Sequence, residues 1–260
     1  MIRSLYTATT GMRVQQHKLD SIGNNIANVS TIGYKKTRPN FKDALYDAMG
    51  NGREEPGSNL IVGNGVLVDS IQTYFTQGGL DPSDSNLDLS LEGPGFFRKR
   101  SSIGQDLFTR DGSFKLGYLP NDDSRLEDSQ GNPILDEYGN TIIFSRHTEQ
   151  EDILIGVDGS ILTKNQDGGL TYHSKLGIYN FTDPDGLIRG ESGSFIPTDE
   201  SGPAIVSVEG KVYQGFLERS NVDMSLEMTD LIMAQRAYQF NSRVVQAADD
   251  MEKQANSLKG

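Results

Sequence analysis

Residues 220–259 contain neither Gly nor Pro and read as one long helix from about Asp223, with Asn221 or Asp223 as its cap. Its apolar residues fall in two stripes: Leu231, Ala234, Tyr238, Val245, Ala248, and Met233, Ala237, Phe240, Val244, Ala247, Met251, Leu258. On a helical wheel the two stripes point about 120° apart and together span roughly 200° of arc. A single partner helix covers only about half of that. The segment must therefore lie inside a bundle or be shared between molecules. The intervening sequence offers no further strong helix, so the sharper expectation is that neighbouring copies of the chain complete the cover.

The other end of the chain mirrors it. Leu5, Ala8, Met12, Leu19, Ile22, Ile26 and Val29 follow a heptad that only Gln15 interrupts, which predicts an amphipathic helix over roughly residues 2–29 with a coiled-coil-like seam. Gly11 and Gly23 each cost about 1 kcal/mol relative to Ala there. Each seam residue gives about 1.5–3 kcal/mol when buried, but only if a partner covers it. Isolated terminal helices should thus be disordered, and folding is expected to couple to assembly.

Between the ends the period changes to two. "NLDLSLEG" (86–93) places Leu87, Leu89 and Leu91 on one face and Asp88, Ser90 and Glu92 on the other. "ILIGVDGSILTK" and "AIVSVEGKVYQGF" read as strand pairs closed at Asp158-Gly159 and Glu209-Gly210, and further turns are marked at Gly131-Asn132 and Gly139-Asn140. "GNGREEPGSN" (50–59) reads as a flexible connector. The expected fold is α+β, with N- and C-terminal helices pairing as a coiled coil around an antiparallel β-rich middle. The expected parts are an N-terminal helix (1–34), a connector (35–66), a β-rich outer module (67–216) and a C-terminal helix (217–260).

Formal charge argues against one class of partner. The net value is −12, yet residues 1–42 carry seven Lys and Arg against Asp20 alone, leaving −18 on the remainder. So acidic a body does not suit nucleic-acid binding. A basic arm on an acidic body fits equally a membrane or nucleic-acid contact through the arm, attraction between the arm of one copy and the body of another, or a solvated face. There is no cysteine, hence no disulfide framework or thiol chemistry. Neither a secretory signal pattern nor a membrane-spanning apolar run is visible, so no membrane insertion is expected.

Catalytic patterns are missing. The histidines are His17, His147 and His173, and "GESGS" (190–194) lacks the last Gly of a nucleophile elbow. Aligning Gly186 with the sixth position of a calcium loop puts Phe181 and Ser192 where carboxylates are needed. No cofactor or metal is expected. A pair of acids meeting across a cleft escapes any sequence reading, which leaves a secreted acidic wall hydrolase with helical anchoring termini as the rival reading.

The terminal segments resemble the axial proteins of the bacterial flagellar rod and hook. The N-terminal motif is carried by Asn24, Asn25, Ala27, Asn28, Thr31, Gly33, Tyr34 and Lys35; the C-terminal one by "SNVD" (220–223), Glu227, Met228, "AQRAY" (234–238), Asn241 and Ser242. Shorter echoes are "GPGFF" (93–97) and "TRDGSF" (109–114), and "MIRSLYTATTGM" with residues 41–66 is most similar to the distal-rod branch. Leu226 and the length of residues 117–150 depart from that pattern.

The resemblance implies a structural, non-enzymatic subunit that polymerises into a hollow helical drive shaft and transmits torque passively between motor and hook. Its partners would be copies of itself, other rod and hook proteins and the flagellar export apparatus. It would reside in the basal body outside the cytoplasmic membrane, exported without a cleaved signal.

The asparagines that end the first helix admit three explanations: local caps before Gly33, an intermolecular ladder that sets register between copies, or a ligand-binding amide cluster. The ladder is the favoured expectation, since Gln235, Arg236 and Asn241 offer a matching polar set. The expected subunit-assembly residues are therefore Leu5, Met12, Leu19, Ile22, Asn24, Asn25, Ile26, Asn28, Gly33, Tyr34, Asn221, Leu231, Gln235, Arg236, Tyr238, Phe240, Asn241, Val244, Val245 and Met251.

Overall fold

A computed structural model describes residues 2–44, 46–48, 61–121, 123–145, 148–165, 169–207 and 210–257. The connector at 50–59, His147, Glu209 and Leu258 lie outside the described residues. The chain has a helix near each end and an antiparallel β-rich middle. It divides into two units: Met1–Ala27, Thr37–Tyr74 and Asp223–Gly260 form the first, Asn28–Lys36 and Phe75–Val222 the second.

In the first unit, α1 (Ile2–Ala27) and α2 (Met224–Ser257) lie side by side. Asp223 caps α2 as expected, its Oδ1 accepting from the backbone N–H of Ser225 and Leu226 at 2.9 and 3.2 Å. The pair is antiparallel: near one end Asn25 meets Glu227, and farther along Gly11 meets Asn241. At Gly11 a Cβ would stand 2.9 Å from Asn241 Nδ2, so this glycine, costly to the helix alone, lets the side chain opposite approach closely. The unit also holds a two-stranded antiparallel ribbon, Thr37–Asp43 with Val66–Thr73, with a register shift at Asn40/Phe41, and a shorter antiparallel pair, Tyr46–Ala48 with Ile61–Gly63.

The second unit is built around a six-stranded antiparallel sheet in the spatial order Ile188–Arg189, Ser194–Ile196, Asp106–Thr109, Phe96–Arg100, Ile178–Asn180, Ile205–Val206. The pleat points adjacent residues to opposite faces, and the pair Phe96-Phe97 shows why both faces are covered. Phe96 joins Phe75, Phe108, Phe181 and Phe195 in an edge-to-face aromatic cluster, while Phe97 enters a second core with Leu87, Leu89, Leu91, Ile134, Phe144, Ile153, Ile161 and Val212. The three leucines of "NLDLSLEG" are thus interior as their alternation predicts. Ser90 on the opposite face is also buried, and Leu89–Glu92 pairs with Lys211–Gln214.

The hairpin expected at 153–164 forms, with Ile155 opposite Ile161, and Leu170–Lys175 adds a third strand. The pairing expected within 204–216 does not. Ile205–Val206 pairs with Ile178–Asn180, while Lys211–Gln214 pairs with Leu89–Glu92. Val212 gains a place against the buried leucines that a local hairpin would not provide.

The turns marked by Gly131-Asn132 and Gly139-Asn140 are two copies of one loop, Asp-x-x-Gly-Asn, eight residues apart. In each, one carboxylate oxygen accepts two backbone N–H groups and the other accepts the Asn side chain: Asp128 from Gln130 and Asn132, Asp136 from Tyr138 and Asn140. Asp128 is buried and its free valence is taken by Lys99 Nζ at 2.7 Å.

Candidate assembly surface

The structure separates the two stripes of α2. Glu227, Ala234 and Ala248 are buried and Leu231 and Val245 half-buried along one line, with Tyr238 just exposed at 38%. On the other line Met233, Phe240, Val244 and Met251 are 52, 64, 46 and 51% exposed. One helix of the same chain therefore covers one stripe, as the arc argument requires, and leaves an apolar face bare. Gln235 and Arg236 are exposed and Asn241 is half-buried against Gly11.

On α1 the inward line is Ala8, Val14, Ile22 and Asn25. Of the expected seam, Ala8 and Ile22 belong to this line, whereas Met12, Leu19, Ile26 and Val29 are half-buried and Leu5 is exposed. The reason is Asn25. Its amide is 1% exposed and accepts from Thr37 N–H at 3.0 Å while donating to Thr37 C=O at 2.9 Å and Glu227 Oε2 at 3.2 Å. A side chain thereby pairs with a peptide unit as a neighbouring strand would, and turns the helix so that this edge faces inward. Asn28 acts locally: its Oδ1 accepts from Thr31 Oγ1 and its carbonyl from Thr31 N–H, both at 3.1 Å. Asn24 is exposed. Within the chain, the local reading accounts for Asn28, and a clip that none of the three explanations named accounts for Asn25.

In the second unit, the end of the N-terminal motif is knotted to the start of the C-terminal one. Gly33 sits at φ +65°, and a Cβ there would lie 2.6 Å from the Arg110 carbonyl carbon; its N–H donates to Glu218 C=O at 2.8 Å. Tyr34 is buried under the Arg189 guanidinium, 4.3 Å above its ring. Asn221 donates to Thr76 through its side chain, accepts from the Lys36 N–H at 2.8 Å, and donates its own N–H to Tyr34 C=O.

Beneath them lies a buried ionic triad. Lys35 Nζ donates to Glu218 Oε1 at 2.6 Å and to Thr76 C=O at 2.9 Å; Arg110 meets Glu218 Oε2 at 3.4 Å and donates to Gly93 C=O. Burial pushes the Lys35 ammonium down, and Glu218 only partly restores it. Burial lowers Arg110 likewise against the same carboxylate. Two cations share one anion. Sequence reasoning passed over Lys35, Arg110, Glu218 and Glu227 as site residues. The available signal was a charged residue in or near each motif: Lys35 closes the N-terminal one, and Glu218 lies two residues before "SNVD".

Among the described residues no group of three or more His, Cys, Asp or Glu side chains is placed to hold a metal ion. No helix there is long and apolar enough to cross a membrane.

These elements match three families of known proteins. Residues 5–35 match the flagella basal body rod protein family, 90–172 the flagellar hook protein FlgE/F/G D1 domain, and 213–258 the flagellar basal body rod FlgEFG protein C-terminal family. The flagellar basal-body rod protein FlgG of Borreliella burgdorferi is 34% identical over 100% of this chain and 99% of its own length. FlgG of Bacillus subtilis is 34% identical over the whole of both chains. The flagellar hook-basal body complex protein FlhP of the same bacterium is 31% identical over the whole of both. The knot in the second unit joins the first and last matched regions, and the sequence resemblance, the FlgG relatives and the helix–β–helix order agree: the chain belongs to the flagellar basal-body rod family and is a structural subunit of the flagellar rod.

Proposed function

We propose that the chain polymerises with copies of itself into a hollow helical shaft, with other rod and hook proteins at its ends, and transmits torque passively. The observation that carries this is the bare stripe of Met233, Phe240, Val244 and Met251 on a helix whose opposite stripe is already covered. In this reading residues 1–34 and 217–260 form the assembly core through a coiled-coil pairing, 35–66 the connector and 67–216 the outer layer. The subunit works in the basal body outside the cytoplasmic membrane, delivered by the export apparatus without a cleaved signal. No turnover, cofactor, nucleic acid or membrane insertion enters the mechanism. Among the described residues that line the cleft of about 570 Å³ in the β-rich unit there is one carboxylate, Glu191, whereas glycoside cleavage needs two that face each other.

Sedimentation velocity over a range of concentrations tests the reading on the full chain. Wild type should grow into polymers, and Val244→Asp should remain monomeric with its β-rich unit folded. Polymers of the variant equal to wild type, or a wild type monomeric throughout, would overturn it.

A further inference from the structure

The first unit contains a groove of about 230 Å³ between α1, α2 and the ribbon strand Thr37–Asp43. Ile22, Pro39 and Phe41 give it apolar walls, and Lys18 and the Arg38–Asp230 ion pair at 3.3 Å also line it. Glu227 lines it too, although the residue is only 2% exposed. Its Oε2 accepts from Asn25, and among the described residues nothing donates to Oε1. Oε1 therefore faces the groove as an acceptor open to an incoming cation.

The chain itself displays a group of the matching chemistry. On the bare face of α2, Phe240, Gln239, Arg236 and Arg243 surround a hollow, and the Arg243 guanidinium lies 5.8 Å from the centre of the Phe240 ring. Counted along the helix, Arg236 and Arg243 point about 160–180° away from Glu227. Arg236 and Arg243 therefore cannot reach the groove of their own chain, whereas those of a second copy can. A contact between opposite sides of identical units is head-to-tail, and such a contact propagates into an open filament where a two-fold contact would stop at a dimer.

We propose that the Phe240–Arg243 corner of one copy seats in the Glu227 groove of the next, the guanidinium donating to Glu227 Oε1 while the ring packs on Ile22, Pro39 and Phe41. This rests on the polymer reading above and names its contact.

The test uses two full-length variants, Arg243→Glu, with the groove intact, and Glu227→Gln, nearly isosteric and with the corner intact. Circular dichroism establishes that both keep wild-type helix content. Each alone should need at least about thirtyfold more protein than wild type to polymerise, the loss expected for one partner of a desolvated charge pair. Mixed at equal concentration they should form a one-to-one dimer that grows no further, because only one competent corner and one competent groove remain. Arg243→Glu polymers at the wild-type threshold, or a mixture that stays monomeric, would overturn the contact while leaving the polymer reading intact. A wild type that never polymerises would remove both.

Discussion

Lys35 Nζ and Glu218 Oε1 stand 2.6 Å apart with both side chains fully shielded from solvent, although 183 residues separate them in the chain. Arg110 completes the group, so the carboxylate holds two cations together and is the member whose loss costs most. Glu218→Gln should destabilise the chain by about 3–5 kcal/mol, the range for an uncompensated buried charge. Lys35→Met should cost less, since the Arg110–Glu218 pair remains neutral. Urea unfolding of the two variants decides the order, and equal losses would mean that the triad is not electrostatically lopsided.

The same triad sets a pH dependence. Lys35 is depressed by burial, so between its folded value and about 10.4 the unfolded chain binds more protons than the folded one. Stability from this group therefore rises with pH through that window. Wild type should gain on Lys35→Met as alkaline conditions approach about 10.4, measured as the difference between their urea midpoints at stepped pH.

At the Asp128 carboxyl, burial acts upward, but Lys99 and Asn132 outweigh it and hold the group below the ordinary carboxylate range. A depressed acid contributes stability that is present above about 3.9 and lost as pH falls through its folded value. Asp128→Asn should cost about 3 kcal/mol at neutral pH. The gap to wild type should close on acidification below about 3.9, as thermal melts at stepped pH would show.

Asn25→Ala removes the acceptor of the Thr37 N–H and the donor to Glu227, while the Thr37 carbonyl keeps the Ser21 hydroxyl at 2.9 Å. A loss of about 1–3 kcal/mol is expected for buried groups left unsatisfied. Hydrogen exchange locates it: the Thr37 amide should lose protection before other ribbon amides. Unchanged exchange there would show that the clip does not hold the ribbon.

Two glycines should respond oppositely to alanine. Gly33→Ala puts a Cβ in a left-handed conformation and 2.6 Å from the Arg110 backbone, so a loss of at least about 1–2 kcal/mol is expected. At Gly23 a Cβ meets nothing within 4 Å, and Gly23→Ala should stabilise α1 by about 1 kcal/mol. Thermal melts of both variants check the signs.

What the residues by themselves determined was local. Two terminal helices, the cap at Asp223, the leucine face of 87–91, the hairpin at 153–164 and the paired glycine turns all follow from periods of 3.6 or 2 and from backbone preferences, which neighbouring residues encode. The width of the apolar arc on α2 also showed that one partner helix was too few. The tertiary structure alone decided which stripe α1 covers, that Val212 joins Leu91 and not its neighbour Val206, and that Asn25 serves Thr37 and Glu227. It also brought Lys35, Arg110 and Glu218 to one point. Those choices depend on the energy of burying groups far apart in sequence, where a charge or amide takes whichever partner spares it an unsatisfied place in the interior. No periodicity along the chain records that partner.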